Sequence, residues 1–318
     1  MKTIQGAPGA KILGFGHYQP SKVVTNADLS ATMDTNDEWI QSRVGIKERR
    51  IATAGESEID LAVQAGGKAL AASGLSAGDI DLVIVATCTL EAQIPNAAAR
   101  VATRLGIEAP GAFDVNTACS GFCYALALAN DAVRAGSAVN VLVIGTEKLS
   151  QWIDWTDRST AVIFADGAGA AVVGPSDTPR IGPVVWGSAG DKADAIMIKD
   201  RDSFLRQEGQ TVFRWATTAL HPVAKEICER AGVDPADLAA FVPHQANLRI
   251  IEAIARRLGA DKAVIAKDIV LAGNTSAASI PLALSRMVER GEVQSGGLVL
   301  LLGFGAGLTY AGQVVEIP

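Results

Sequence analysis

No run of this chain approaches the roughly 18 consecutive apolar residues that a membrane-spanning helix needs, so a transmembrane protein is not expected. The opening stretch MKTIQGAPGA lacks the apolar core of a secretory signal. Charge is sparse: 19% of residues are Asp, Glu, Lys or Arg, and the net charge is −6. Such a balance excludes a general attraction to nucleic acid or anionic membrane, so any basic docking face has to be local. Cysteine is scarce too. Cys88, Cys119, Cys123 and Cys228 show no zinc-type Cys-x-x-Cys spacing, which points to a reduced, cytoplasmic enzyme. Histidine is rarer still, with only His17, His221 and His244 available to any chemistry.

What is abundant is core. Nearly half of the residues, 49%, are hydrophobic, and the 318-residue length fits two domains or one large α/β unit. AKILGFG at 10–16, DIDLVIVAT at 79–87, VNVLVIG at 139–145 and DGAGAAVVG at 166–174 read as strands. Helical periodicity covers 57–73 and 96–106. The second half repeats this plan. ALAASGLSAGDIDLVIV resembles EICERAGVDPADLAAFV, with Gly74 and Gly232 standing 158 apart. VATRLGI resembles IARRLGA at a spacing of 153, and AVRAG resembles MVERG at 155. VLVIG and GAGAAVVG match VLLLG and GAGLTYAG in the same order. Five segments in register argue for a duplicated α/β unit. The expected halves are residues 1–174 and 175–318, forming stacked sheets with the site at their junction. The segment 187–215 has no counterpart and reads as a polar insertion that caps one face.

The stretch DVNTACSGFCYALALANDAVRAG, Asp114–Gly136, carries an apolar run through small and polar residues into a buried helix, with Cys119 at the join. A thiol at a helix N-terminus gains from unsatisfied N–H groups and the dipole, which favour the thiolate. Gly121 would leave room for a substrate. The competing reading is a small buried core residue, the usual fate of a free cysteine. A thiol enzyme needs a base or donor partner. His17 is expected at the surface or in a hydrogen bond, and His221, before Pro222, as a helix cap. His244 ends the buried run AAFVP and begins HQAN, a place suited to chemistry in an α/β protein. Asn274, in LAGNTSAASIP, reads either as an N-cap or, at the 155 spacing from Cys119, as a second active-site position. The glycine run GFGAG at 303–307 precedes an alternating, strand-like LTYAGQVVEI, which defeats a dinucleotide-binding reading. Cys88, Cys123 and Cys228 are expected to pack in helices or at strand ends.

DTNDEWIQSRVGIKERR, FDVNTACSGF, DRSTAVIFADGAGA, VPHQANLRII, GNTSAASIPLA and GFGAGLTYAG together resemble the β-ketoacyl-acyl carrier protein synthase III family of the thiolase-like superfamily. The resemblance spans nearly the whole chain. It implies a homodimer of five-layered αβαβα architecture. It also implies that Cys119 is the acylated nucleophile and that His244 and Asn274 complete a triad. Elongating ketosynthases place a second histidine at the asparagine position and biosynthetic thiolases a second cysteine. Plant-type polyketide synthases share Cys-His-Asn but are longer and lack this set of motifs.

The implied reaction has two halves. Cys119 takes an acyl group from acyl-coenzyme A, its carbonyl oxygen held by the backbone N–H groups of Cys119 and Ala306. Malonyl-acyl carrier protein then loses carbon dioxide, and donors from His244 and Asn274 stabilise the enolate that attacks the acyl-cysteine. The resemblance implies no metal, nicotinamide or flavin, and no cofactor beyond acyl-coenzyme A as substrate. Trp39 and Arg158 match residues that sandwich the adenine. Arg43, Phe213, Ala246 and Asn247 match the coenzyme A tunnel. Arg249, Arg256 and Arg257, on one predicted helix, match a docking face for the acidic carrier protein.

Three positions depart from the family pattern. Ala306 replaces a glycine of some members but keeps a backbone donor. Ile94, in AQIPNA, stands where some members place a phenylalanine reaching into the partner's acyl pocket, so a larger pocket is implied. Trp152 and Trp155 lie near the expected coenzyme A side without a matching role. A priming or acyl-transferring relative of polyketide synthesis is the close alternative to initiation of fatty acid synthesis. A non-catalytic acyl-binding homologue and a thiol hydrolase are the more distant ones.

Overall fold

A computed structural model describes residues 5–318; residues 1–4, part of the stretch read above for a leader, lie outside the described residues. Two five-stranded sheets organise the chain. The first contains β1 (Gly9–Tyr18), β2 (Leu82–Ala86), β3 (Gly111–Val115), β4 (Val141–Lys148) and β5 (Asp166–Ser176), in the order β1-β5-β4-β2-β3. The second contains β6 (Val185–Ser188), β7 (Ala240–Pro243), β8 (Val264–Ile265), β9 (Leu298–Gly305) and β10 (Thr309–Glu316), in the order β6-β10-β9-β7-β8. In each sheet three strands run parallel and the other two are joined antiparallel. The two sheets thus share one topology, strand for strand. The expected break after Gly174 falls inside β5, which runs on to Ser176.

The layering follows from how each strand divides its side chains between two faces. Along β2, Ile84 joins the central core while Val83 and Val85 join the outer one. Along β9, Val299 and Leu301 point to the centre, Leu300 and Leu302 outward. Helices α1 (Glu58–Ser73) and α2 (Ala97–Arg104) cover the first sheet's outer face. Helices α3 (Gly121–Ala135) and α6 (Ser279–Glu289) fill the centre between the sheets. Helices α4 (Gly209–Ala231) and α5 (Leu248–Leu258) cover the second sheet's outer face. The result is the expected five-layered α-β-α-β-α sandwich. The central helices are apolar nearly all round because both faces meet sheets.

Local chemistry sets the ends of these elements. Ser57 and Asp60 form a capping box at the start of α1, and α1, α3, α4 and α5 all end on a left-handed glycine. The strand expected from 79 begins at Leu82, because Asp79 turns back to bond the Ser76 backbone at 2.8 Å and closes a 3-10 turn over Ala77–Asp79. The insertion is also shorter than expected. Gly187 and Ser188 belong to β6, and residues 209–215 are the first turns of α4. What remains carries a small hairpin pairing Ile196–Met197 with Arg206–Gln207. His221 lies in the interior of α4 rather than at a cap, and His17 Nδ1 meets the Ser285 hydroxyl at 3.0 Å. Among the described residues no helix is long and apolar enough to cross a membrane.

Candidate active site

Cys119 sits in one 3-10 turn, Ala118–Ser120, between β3 and α3, and Asn274 precedes a matching turn, Ser276–Ala278, ahead of α6. Ala118 and Ser276 have φ of +46° and +47°, a left-handed conformation rare for residues with a side chain. The Oδ1 atoms of Asn116 and Asn274 each accept the N–H two residues on, at 3.4 and 2.8 Å. The two turns are therefore equivalent, NTACSG against NTSAAS, at a spacing of 158. This corrects the 155 spacing: Asn274 corresponds to Asn116, and Cys119 to Ala277. The shorter spacing holds only beyond the helices, because α3 has 15 residues and α6 has 11. Neither Cys119 nor Asn274 lies in the first turn of an α-helix. Gly121 also has another reason. A Cβ there would stand 3.1 Å from Ala86 and 3.4 Å from Ala277, so glycine allows the two turns to pack; it does not line the cavity.

Both turns open onto one cavity of about 1070 Å3. Cys119, His244 and Asn274 line its floor together with Ser276, Phe304 and Ala306. Each of the three is nearly enclosed, with 9, 2 and 5% of its surface exposed. The backbone N–H groups of Cys119 itself and of Ala306 stand close enough to the Cys119 sulfur to favour its anion. Gly305 makes that approach possible, since a Cβ there would stand 2.9 Å from the sulfur. The sequence-based expectation of a lowered thiol pKa does not hold. Burial dominates and pushes it up to about 12, against the pull of Ser276 and the two N–H groups.

His244 follows β7, its N–H donating to Leu302 O at 2.8 Å and its ring lying edge-on to Phe304 at 5.2 Å. Nδ1 meets the Ser279 hydroxyl at 2.7 Å, and the Gln245 N–H donates to that same oxygen at 3.3 Å. With the hydroxyl accepting from Gln245, its own proton points at Nδ1, and the ring proton resides on Nε2. Burial holds the imidazole pKa down at about 3, so it is a neutral donor. Asn274 spends Oδ1 on Ser276 N–H, which leaves its amide N–H groups for the cavity. The site therefore combines a thiol, two backbone donors beside it and two neutral side-chain donors.

Trp39, Arg43, Arg158, Phe213, Ala246, Asn247 and Arg249 also line the cavity. The Arg158 guanidinium lies 5.1 Å from the Trp39 ring centre, and Arg158 donates to Asp34 O at 2.8 Å. Stacked planes need about 3.5 Å each, so an adenine between these two would require Arg158 to swing away. Asn247 caps α5, accepting from Arg249 N at 2.9 Å, and donates to Arg43 O at 3.1 Å. Arg249 lies over Phe213 at 5.0 Å. Arg256 and Arg257 are exposed on α5 outside the cavity, and Arg257 donates to Thr217 O. Ile94 is 85% exposed and does not touch this chain's own cavity. Trp152 and Trp155 do not line it either. Their indole N–H groups donate to Thr89 O at 3.1 Å and Ser150 O at 3.2 Å, so they anchor loops rather than shape an entrance. The capping segment supplies one wall through Ile196, Ile198 and Leu205.

Sequence reasoning missed three residues here. Cys88, two positions past β2, faces the cavity instead of packing away. Ser276 opens the second turn, and Glu147, in β4, is a carboxylate with no exposed surface that accepts from its hydroxyl. The 158 spacing would have marked Ser276 as the counterpart of Ala118; nothing local marks Glu147, which sits in an ordinary strand.

Comparison with known proteins identifies the family. The family described as 3-Oxoacyl-[acyl-carrier-protein (ACP)] synthase III matches residues 113–190, and its C-terminal counterpart matches 228–317. Beta-ketoacyl-[acyl-carrier-protein] synthase III 4 of Streptomyces coelicolor is 56% identical over 313 residues, covering 98% of this chain and 99% of the relative. The crystal structure of the priming beta-ketosynthase from the R1128 polyketide biosynthetic pathway superposes with a TM-score of 0.96 at 43% identity, covering 100% of this chain and 98% of that one. The 3-oxoacyl-[acyl-carrier-protein] synthase III of Aquifex aeolicus superposes with a TM-score of 0.92 at 42% identity, covering 97 and 100%.

Proposed function

The chain belongs to the β-ketoacyl-acyl carrier protein synthase III family, and on that premise we propose how its residues divide the work. It is an acyltransferase of the initiating, condensing kind: an acyl group passes from acyl-coenzyme A to the enzyme, and decarboxylative condensation with malonyl-acyl carrier protein gives a β-ketoacyl-acyl carrier protein. Cys119 is the nucleophile. The observation that carries this is the meeting of one buried sulfur with the N–H groups of Cys119 and Ala306 at the floor of the cavity. The same N–H groups hold the oxyanion once the sulfur has attacked, and each such donor contributes about 3–4 kcal/mol in the transition state. His244 Nε2–H and the Asn274 amide receive the thioester oxygen of the malonyl group as its carboxylate leaves. Both are neutral, so they stabilise the enolate without protonating it outright.

Trp39, Arg43, Arg158, Phe213, Ala246 and Asn247 hold coenzyme A along the cavity mouth, and Arg249, Arg256 and Arg257 attract the carrier protein. The enzyme works in the cytoplasm, in keeping with four unpaired cysteines, and its chemistry calls for no metal or organic cofactor. It works as a homodimer in which Ile94 reaches the partner's acyl pocket. The likeness to a priming ketosynthase favours a second reading, in which the same chemistry starts a polyketide rather than a fatty acid.

Intact-mass measurement after exposure to acyl-coenzyme A thioesters of increasing length, followed by a malonyl-carrier protein chase, tests this reading. One acyl adduct is expected on Cys119, cleared by the chase and absent from Cys119→Ala. An adduct that persists in Cys119→Ala removes Cys119 as nucleophile.

A further inference from the structure

Arg49 is among the largest side chains with no exposed surface, and it has no ion pair among the described residues. It stands in the short strand Glu48–Arg50, paired with Val23–Thr25. Nη1 donates to Val24 O at 3.2 Å and to Asn26 Oδ1 at 2.8 Å, and Nη2 donates to Val162 O at 2.8 Å. Nε has no partner. A buried guanidinium whose acceptors are all neutral is costly, and apolar replacement of buried charges is often neutral or stabilising. Stability alone therefore gives little reason for it. A tether between two segments would account for these bonds; where the second segment runs next bears on the reaction.

Beyond Val162 the chain grips Asn274. Ile163 O accepts from the Asn274 N–H at 3.0 Å, and the Ala165 N–H donates to Asn274 O at 2.9 Å, so both backbone polar groups of Asn274 are held by this segment. Gly273, just before it, lies against Arg49 itself. A Cβ there would stand 3.1 Å from Arg49 Cβ and 2.7 Å from Ala165 Cβ. Asn274 Oδ1 is spent on the Ser276 N–H. With backbone and Oδ1 both fixed, the direction of the amide N–H groups follows the placement of 162–165. The other arm of the network reaches the cavity mouth. Asn26, 2% exposed, donates to Asp37 Oδ1 and to Ile46 O, both at 2.8 Å. Asp37 opens the helix Asp37–Val44, which carries Trp39 and Arg43, and Ile46 follows it.

We propose that Arg49 is a positioning residue for Asn274. Its guanidinium fixes the 162–165 segment, and through it the amide that receives the malonyl thioester oxygen, in register with the helix that carries Trp39 and Arg43. The inference rests on Asn274 being a donor to that oxygen. Cys119 lies on the other turn and Ala306 after β9, and none of Arg49's hydrogen bonds reaches either. Acyl loading is therefore largely independent of Arg49, whereas decarboxylation depends on it. A lysine cannot replace it: an ammonium is a point charge and does not span Asn26 and Val162 as the planar fork does.

Two half-reactions measured apart test this: acylation of Cys119 from acyl-coenzyme A by intact mass, and carbon dioxide release from malonyl-acyl carrier protein. Arg49→Lys keeps the positive charge and loses the fork. Its decarboxylation kcat should fall about tenfold or more, with KM for the carrier protein and the acylation rate each within about twofold of wild type. An amide that is misplaced rather than missing also predicts non-additivity. Added to Asn274→Ala, Arg49→Lys should lower decarboxylation by less than about twofold further. A general loosening would instead lower both half-reactions alike, or multiply with Asn274→Ala, and either result overturns the proposal. Should Arg49→Lys not fold, Asn26→Ala, which removes the shorter of the Nη1 bonds, carries the same test. A selective loss of about threefold is then expected, and equal losses in the two half-reactions overturn it. Failure of the premise looks different: Asn274→Ala itself would decarboxylate at the wild-type rate, whatever Arg49→Lys does.

Discussion

At the scale of single residues, burial controls the chemistry. His244 is ordinary in sequence, one of three histidines, but its surroundings hold it neutral down to about pH 3. That has a consequence for stability. An unfolded chain protonates this imidazole near its usual pKa of about 6.5, whereas the folded protein does not. The folded pKa is depressed, so the associated stability is fully present above about pH 6.5 and is lost as pH falls towards about 3. Through that window His244 contributes a slope of at most ~1.4 kcal/mol per pH unit. Urea unfolding of wild type and His244→Gln between about pH 5 and 7.5 should show the wild type losing stability more steeply on acidification. Parallel slopes would mean that the imidazole is protonated in the folded state. The identity of this residue was legible in sequence because a buried run ended at it. Its tautomer was not, since that depends on Ser279, 35 residues further on.

At the scale of elements, the site is made by two turns pressed against sheet strands, and glycines decide how closely. In β4, a methyl at Gly145 would collide with the Ala277 backbone carbonyl, which belongs to the turn after Asn274. Backbone cannot move aside as a side chain does, so Gly145→Ala should destabilise by about 1–3 kcal/mol and reduce acyl loading as the turn shifts. Gly67, inside α1, is the control: an added methyl would make ordinary contact with Leu105 at 3.6 Å. Gly67→Ala should stabilise by about 0.5–1 kcal/mol through helix propensity and leave loading unchanged. Denaturation midpoints for both variants check this; equal effects would remove the close-approach argument. The helices and buried strands were legible because their apolar periods and end glycines are local signals. The equivalence of the two turns was misread by three residues because the central helices differ in length, and a spacing measured beyond them does not apply ahead of them. The reach of Ser276 towards Glu147 is a tertiary fact, 129 positions apart, with no local trace.

At the scale of the whole molecule, the duplicated topology closes the centre but leaves one side of the first sheet open. β3 pairs with β2 alone and ends the sheet, with Phe113 39% exposed on it. An uncovered edge invites pairing with another strand, and the loop carrying exposed Ile94 stands close by, its Asn96 donating to Ala112 O of β3 at 2.9 Å. If two chains join along this edge, exposed Ile94 of one is carried towards the other chain. Sedimentation at about 10 μM should then give twice the chain mass of 32.9 kDa. Phe113→Lys should shift the mass towards one chain, since a charge at the joint loses its water on pairing. Ile94→Phe, which keeps the dimer, should lower loading of longer acyl-coenzyme A thioesters by about tenfold, a loss of ~1.4 kcal/mol, while acetyl loading stays within about twofold. A protein that sediments as a single chain would sink both parts. A dimer whose acyl preference ignores Ile94→Phe would keep the edge pairing and separate it from substrate choice, leaving chain length to the cavity wall built from Leu205 and Ile198.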